Sequence, residues 1–429
     1  MLGTAGPRVP AHQVTTRNLG AAYPFIAEAG LGQRGVLIGD DLLGGSFVFD
    51  PFELYAQGVV SNPNMVVFGQ IGRGKSAFVK TFLWRQAVFG RRAWVVDPKG
   101  EYGDLAAAWG VRPVALRPGG AIRLNPLDPG PEHTGSAVDG EGSTARRQME
   151  LLSSLASACL GRTLLPRERA ALGAALVSVT EHAAVPTVPL IVEALLAPSA
   201  DSAASLRTEL RELLEDGRDV ALELRRLVHG DLCGMFDGPT SSGLDLSASL
   251  VVLDLSALYQ STALGVLMAC ATAWLQAHLA RTASSEVGGT QTIVVIDEAW
   301  ALMSNLGVAR WLQSSWKLSR AFGVSNVAVL HRVSDLRSVG ASDSEQVALA
   351  QGLLSDSETR VIYAQSPGEV ALAAELLSLS DTERDLLPQL RRGVALWKVG
   401  QRSFLVQHRL SPQERSLVDT DGAMTSVST

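Results

Sequence analysis

"NMVVFGQIGRGKSAFVKTF", residues 64–82, decides the fold of this chain. An apolar run, Met65–Phe68, enters a glycine-rich loop, and helical spacing starts as soon as the loop ends and runs to Gly90. The loop fits the pattern G-x-x-x-x-G-K-[ST] with Gly69, Gly74, Lys75 and Ser76, and adds Gly72. Glycines there let successive backbone N–H groups turn inward around phosphate oxygens. A lysine at that spacing reaches the β- and γ-phosphates, and the hydroxyl after it ligates Mg²⁺. The helix that opens at the loop places its positive dipole end on the same phosphates. A chain with 41 glycines can match such a pattern by chance. The strand before the loop and the helix after it are the context that confirms it. Gly69, Gln70, Ile71, Gly72, Arg73, Gly74, Lys75, Ser76 and Ala77 are therefore the expected binding segment for ATP, with Mg²⁺ on Ser76.

Working outward, "RRAWVVD" (91–97) reads as the next strand, which gives a β-loop-α-β start and an α/β sheet. The strand runs into "DPKGEYGDL" (97–105), where Pro98 and Gly100 suit a type I turn. If this strand lies beside the phosphate-loop strand, Asp97 and Glu101 fall near a γ-phosphate. There they orient Lys75, a water or a neighbour's arginine. A second acidic strand end, "TIVVIDEAW" (292–300), supplies Asp297 and Glu298. Asp297 is placed to support the Mg²⁺ held by Ser76, and Glu298 to act as general base on the attacking water. Asp254, after "LVVL", competes for the metal role but is followed by Leu255, where a base would stand, and ranks below Asp297.

The remaining pattern is α/β with one interruption. Short strands are expected within 35–60, as a short strand with an extended exit across 111–130, and at "LVVLDLS" (250–256), "NVAVLHR" (326–332) and "TRVIYAQ" (359–365), with a hairpin near the C-terminus. Residues 1–20 read as irregular and polar and 129–142 as a flexible connector; from residue 143 to 230 the spacing is helical, opening on a Ser/Thr cap, with a weak strand signal at "VPLIV". Ser366 with Glu369, Ser380 with Glu383 and Ser411 with Glu414 have capping-box spacing. The expected organisation is an N-terminal extension with short strands (1–60) and a first core half with the phosphate loop (61–130). An all-helical insertion (131–235), a second core half (236–410), and a C-terminal helix with a disordered tail (411–429) complete it.

Composition narrows the class. The 429 residues are 46% hydrophobic with a formal net charge of −6, which suits a large buried core and does not itself argue for nucleic-acid binding. Cys159, Cys233 and Cys270 lie far apart in apolar contexts and read as buried thiols rather than a disulfide or metal set. The stretch 255–280 lacks charged residues, but its dense apolar part, 263–275, falls short of the ~20 residues a spanning helix needs, so a buried core helix is expected.

With "VVFGQIGRGKSAFVKTF", "WVVDPKGEYGDLAAAWG", "IRLNPLD", "GDLCGMFDGPTS", "VLDLSAL" and "IVVIDEAWALM" on the page, the chain resembles the HerA/FtsK superfamily of P-loop ATPases. Within it, the resemblance is to the conjugation and type IV secretion ATPases of the VirB/TraC kind. The resemblance implies a RecA-like core with a mostly parallel sheet, interrupted by a helical domain. It also implies ATP and Mg²⁺ as cofactors and a homo-hexamer when active. Partners would be other components of a secretion or conjugation machine, in the cytoplasm and at the inner membrane face only through those partners. Such motors often carry a large N-terminal docking domain, whereas here the phosphate loop already begins at Gly69, so the docking function is expected to be absent or to sit on another chain. They often place Gln at the end of the strand after the acidic one, where this chain has His331. A trans-acting arginine is also implied, with Arg320 and Arg360 as equal candidates.

Three functions fit these expectations. The first is an ATP-hydrolysing motor of conjugation or secretion. A HerA/FtsK-type pump acting directly on duplex DNA is the second, and the acidic balance leans against it. The third is a nucleotide-dependent assembly protein with weak hydrolysis.

Overall fold

The computed structural model describes residues 30–128, 140–230, 232–244, 248–259, 261, 264–285, 290–303, 309, 312–313, 316–317, 319–320, 322–331, 351–354 and 356–418. The readings of residues 1–20 as irregular and of 421–429 as a disordered tail lie outside these. Along the chain come β1 (Val36–Asp41), β2 (Ser46–Phe49), α1 (Pro51–Ala56), β3 (Met65–Phe68), α2 (Lys75–Gln86), β4 (Arg92–Asp97), α3 (Gly103–Ala108) and β5 (Val114–Ala115). Residues 140–229 form α4 (Gly140–Leu160), α5 (Pro166–His182), α6 (Val188–Leu196), α7 (Ala200–Leu206) and α8 (Leu210–His229). Then come β6 (Leu250–Asp254), α9 (Leu264–Ser285), β7 (Thr292–Ile296), α10 (Trp300–Met303), β8 (Val324–Leu330) and β9 (Thr359–Tyr363). The described chain closes with α11 (Pro367–Leu377), α12 (Asp381–Leu386), β10 (Val394–Val399), β11 (Arg402–His408) and α13 (Pro412–Val418). The chain divides into two compact units, one from the described parts of 1–91, 325–335 and 354–429, the other from those of 92–324 and 336–353.

In the first unit the strand order is β2-β1-β11-β10-β9-β3-β8. β3 pairs in parallel with both β8 and β9, with Phe68 opposite Leu330 and Ile362. All four residues of β3 and all seven of β8 are buried, as parallel strands covered on both faces require. Antiparallel pairing carries the sheet outward through β10, β11, β1 and β2. The helix after the loop, α2, is fixed by aromatic packing. Phe78 meets Trp397 edge-on at 5.1 Å, and Phe49 lies between Phe82 at 6.0 Å and Trp397 at 5.1 Å. Its far end is held by Arg85, which pairs with Glu414 at 2.6 Å and donates to the Leu37 carbonyl at 2.5 Å. The α2 phosphate-loop end is thus set by a buried cluster rather than by helix propensity.

The second unit carries the parallel order β7-β4-β6-β5. Asp97 is in register with Asp254 and Val96 with Ile296, so Asp97, Asp254 and Asp297 leave their strands at one level. Trp94 of β4 packs against Trp274 of α9 at 5.8 Å. No helix among the described residues is long and apolar enough to cross a membrane. In the helical block, α8 buries Leu213, Val220, Leu224, Leu227 and Val228 at helical spacing. Gly217 lets α6 approach closely: a Cβ there would stand 3.1 Å from the Leu195 side chain.

Several expectations are corrected. β4 is not beside β3, because both edges of β3 are taken by β8 and β9 and both edges of β4 by β6 and β7. Strands that follow each other in sequence need not pair, and wholly apolar strands from later in the chain take the central places. "VPLIV" is helical, opening α6 with a proline in its first turn; its β-branched residues face a helical core instead of a sheet. Helix α4 begins at Gly140, within the stretch expected to be a connector and before the expected Ser143 cap. The capping boxes form at Ser380 and Ser411, but the Ser366 side chain makes no cap bond. Of the three cysteines, which are free thiols, Cys270 is buried, and Cys159 and Cys233 are half-buried.

Candidate nucleotide site

The phosphate loop belongs to the first unit. Gly72 and Gly74 have φ of +76° and +113°, conformations that side-chain-bearing residues avoid. Gly69 is required for another reason: a Cβ would stand 2.5 Å from the Tyr363 Cβ on β9. Gly74 directly precedes α2, so the loop leads straight into the first turn of a helix, where backbone N–H groups and the helix dipole favour an anion. Lys75 is buried, and its Nζ donates to the carbonyls of Gly69 and of Gln70, the latter at 3.0 Å. The ammonium thus lies inside the curl of the loop. Two bonds fasten the loop from outside, Gln70 N–H to the Ala364 carbonyl at 3.2 Å and Gly393 N–H to the Arg73 carbonyl at 2.9 Å. Ile71 projects at the tip, 78% exposed, while Ser76 and Ala77 are half-buried.

His331 and Arg360 belong to the same unit. Leu330 is opposite Phe68, so His331 leaves the sheet at the level of Gly69. Arg360, on β9, turns its guanidinium toward its own unit, donating to the carbonyls of Ser357, Leu377 and Leu354 at 3.2, 3.1 and 3.2 Å.

The acidic residues gather in the second unit. Asp97 is 1% exposed, and its carboxylate accepts the N–H groups of Lys99, Gly100 and Tyr102 at 3.1, 2.8 and 3.0 Å. The turn forms as a turn, but this side chain closes it, because the Asp97 carbonyl is taken by Leu255 N–H at 2.9 Å. Burial raises the Asp97 carboxyl above its ordinary range against the pull of those N–H groups. The carboxylate therefore faces the loop it organises, not an external lysine or arginine. Asp297 is also buried; burial first, then the charges of Glu298 and Glu101, push its carboxyl up to about 7. Tyr102 is wholly buried, and burial first, then the charge of Asp297, pushes its phenol well up.

Glu298 is the most constrained of the set. Its backbone has φ +52°, its side chain is 1% exposed, and its N–H donates to Asp297 Oδ1 at 2.9 Å. Lys99 Nζ forms an ion pair with Oε1, and Trp300 Nε1 donates to Oε2. Burial pulls the Lys99 ammonium down, but the bond and charge of Glu298 outweigh it and leave the pKa raised. Glu101 is half-buried and lines an open cleft of about 470 Å³ with Lys99, Ser256, Ala257 and Tyr259. Asp254 spends its carboxylate on the Ser256 N–H at 2.8 Å. Arg320 is exposed, in the turn that precedes β8.

Sequence reading missed Lys99, Tyr102, Tyr259 and Trp300. The signal for Lys99 and Tyr102 was the motif itself, read for its carboxylates alone; nothing in the spacing ties Tyr259 or Trp300 to Glu298. Among the described residues no three His, Cys, Asp or Glu side chains form a metal-holding group.

No protein-family model matches the chain, and no curated protein matches it in sequence. Among solved structures it is similar to VirB4 of Thermoanaerobacter pseudethanolicus, at 23% identity and TM-score 0.72, over 90% of this chain and 100% of that one. The bacterial conjugative coupling protein TrwB, lacking its N-terminal segment, is similar at 16% identity and TM-score 0.57, over 89% and 90% of the two chains. TrwB in complex with ADP and Mg²⁺ is similar at 15% identity and TM-score 0.57, over 89% and 91%. The chain has the fold of these proteins, an α/β P-loop fold with parallel strands around its loop.

Proposed function

We propose that the chain is an ATP-hydrolysing motor of conjugative DNA transfer or type IV secretion. The observation that carries hydrolysis is the β3–loop–α2 unit, with Lys75 drawn into a curl of backbone whose glycines hold conformations suited to phosphate. Placement in conjugation or secretion is supported by the likeness of fold to VirB4 and to TrwB, the latter solved with ADP and Mg²⁺. Residues 69–77 bind the triphosphate, and Lys75 carries charge to its β- and γ-oxygens. Ser76 and Asp297 are the residues that would hold Mg²⁺, and the ion would supply charge neutralisation at the phosphoryl oxygens. Glu298 accepts the proton of the attacking water. Glu101, His331 and one of Arg320 or Arg360 contribute polar groups around the γ-phosphate, the arginine acting from a neighbouring copy in a homo-hexamer. Arg360 is committed to three carbonyls of its own chain, so acting in trans would require it to give these up. The motor works on the cytoplasmic side, at the membrane only through partner proteins, with DNA as an open substrate.

Phosphate release from ATP with Mg²⁺, measured for wild type and Lys75→Ala, tests the reading. Wild type should turn over and the variant should lose both turnover and retention of a fluorescent ATP analogue. A variant as active as wild type would sink it. Stimulation by duplex DNA with steep salt dependence would move the assignment to a DNA pump.

A further inference from the structure

We propose that Lys99 is the positioning residue of Glu298, and that the Asp-Pro-Lys-Gly-Glu-Tyr turn serves to present it. The inference deepens the reading above and rests on Glu298 being the general base. The turn is pinned along its length. Asp97 gathers three N–H groups from the segment that follows it. Pro98 restricts φ on one side of Lys99. Gly100 sits at φ +73° on the other, where a Cβ would press on Ser256 Cβ at 3.1 Å. From this fixed base the lysine stem runs to Glu298 Oε1, with Nζ 5.7 Å from the centroid of the Tyr259 ring.

The receiving side is equally determined. Glu298 keeps a left-handed backbone, a conformation that persists in a non-glycine residue only when its surroundings over-determine it. Trp300, two residues on, holds the second carboxylate oxygen. Asp297 and Glu101 contribute like charge to the cluster, and Asp97 a further carboxylate. A buried carboxylate in that company is costly unless it is paired with a cation and hydrogen-bonded. Lys99 is that cation, so one oxygen edge is set by Lys99 and the other by Trp300. A purely structural ion pair would change stability and ATP affinity together. A positioning pair changes turnover alone.

The test compares Lys99→Met, Lys99→Arg and Glu298→Gln in steady-state ATP hydrolysis. Lys99→Met should lower kcat about 10²-fold, the scale of a small misplacement of a reacting group, with KM for ATP unchanged. Lys99→Arg should restore a large part of that loss, because a guanidinium also donates to a carboxylate. In a Glu298→Gln background, Lys99→Met should add no further loss, as expected of residues that act as a unit. The proposal is overturned if Lys99→Met turns over at or above the wild-type rate, if Arg is no better than Met, or if the losses simply multiply. Should Lys99→Met not fold, Lys99→Gln, which keeps a polar stem without the charge, carries the test: kcat must fall at unchanged KM, and an unchanged kcat overturns the proposal. If instead Glu298→Gln keeps the wild-type rate, the assignment of the base fails, which is a separate outcome from failure of Lys99.

Discussion

His408 shows how one residue can set a pH dependence far from the acidic cluster. It ends β11, its Nε2 lies 2.9 Å from Thr81 Oγ1, and its ring meets Phe78 edge-on. Burial first, then the positive charge of Arg85, lowers its pKa from 6.5 to about 4, while Glu414 opposes the shift. The folded state therefore holds this imidazole neutral between those values, and the unfolded state takes up a proton. Stability is fully present above 6.5 and is lost as pH falls toward 4. The melting midpoint of His408→Gln, which keeps a polar partner for Thr81, should fall less between pH 6.5 and 4 than that of wild type. Parallel curves across that window would count against this account. None of this was legible in the sequence, because burial of a histidine depends on what the other strands bring over it. The glycine loop between β3 and α2 was legible because the motif records backbone geometry, and Gly72 and Gly74 take the positive φ it calls for. The roles of Asp97 and Lys99 were hidden for the opposite reason. A carboxylate before a turn reads the same whether it faces solvent, a phosphate or its own backbone.

At the scale of elements, α2 depends on the C-terminal end of the chain. Arg85 in its last turn pairs with Glu414 of α13 through both nitrogens of its fork, at 2.6 and 2.7 Å. The two side chains are only 17% and 6% exposed. Removing one partner strands the other, which for a buried pair costs about 3–5 kcal/mol, with the lower end suited to this half-buried one. Arg85→Met should lower the unfolding free energy by about 3 kcal/mol in chemical denaturation, with ATP affinity reduced only through the unfolded fraction. A change below about 0.5 kcal/mol would mark the pair as ordinary surface chemistry. The capping boxes at Ser380 and Ser411 were readable because the box is a local, four-residue arrangement. "VPLIV" was not, since Val and Ile suit a strand until α8 supplies a helical surface for them.

For the whole molecule, sequence spacing revealed an α/β chain interrupted by helices, but not the strand neighbours. β3 lies between β8 and β9, and β4 between β6 and β7, an order that depends on long-range pairing rather than on adjacency. Within the second unit this order brings Asp97, Asp254 and Asp297 to one level, at the carboxyl ends of parallel strands, where ligands of open α/β sheets bind. The central claim is that Glu298 turns bound ATP over. The most direct measurement is phosphate release in a single turnover, with ATP and Mg²⁺, from wild type and Glu298→Gln prepared alike. Both should bind ATP, wild type should release phosphate, and the variant should be slower by about 10²–10⁴-fold, the usual contribution of a general base. Equal release from the two, or none from either while both hold ATP, would contradict the account.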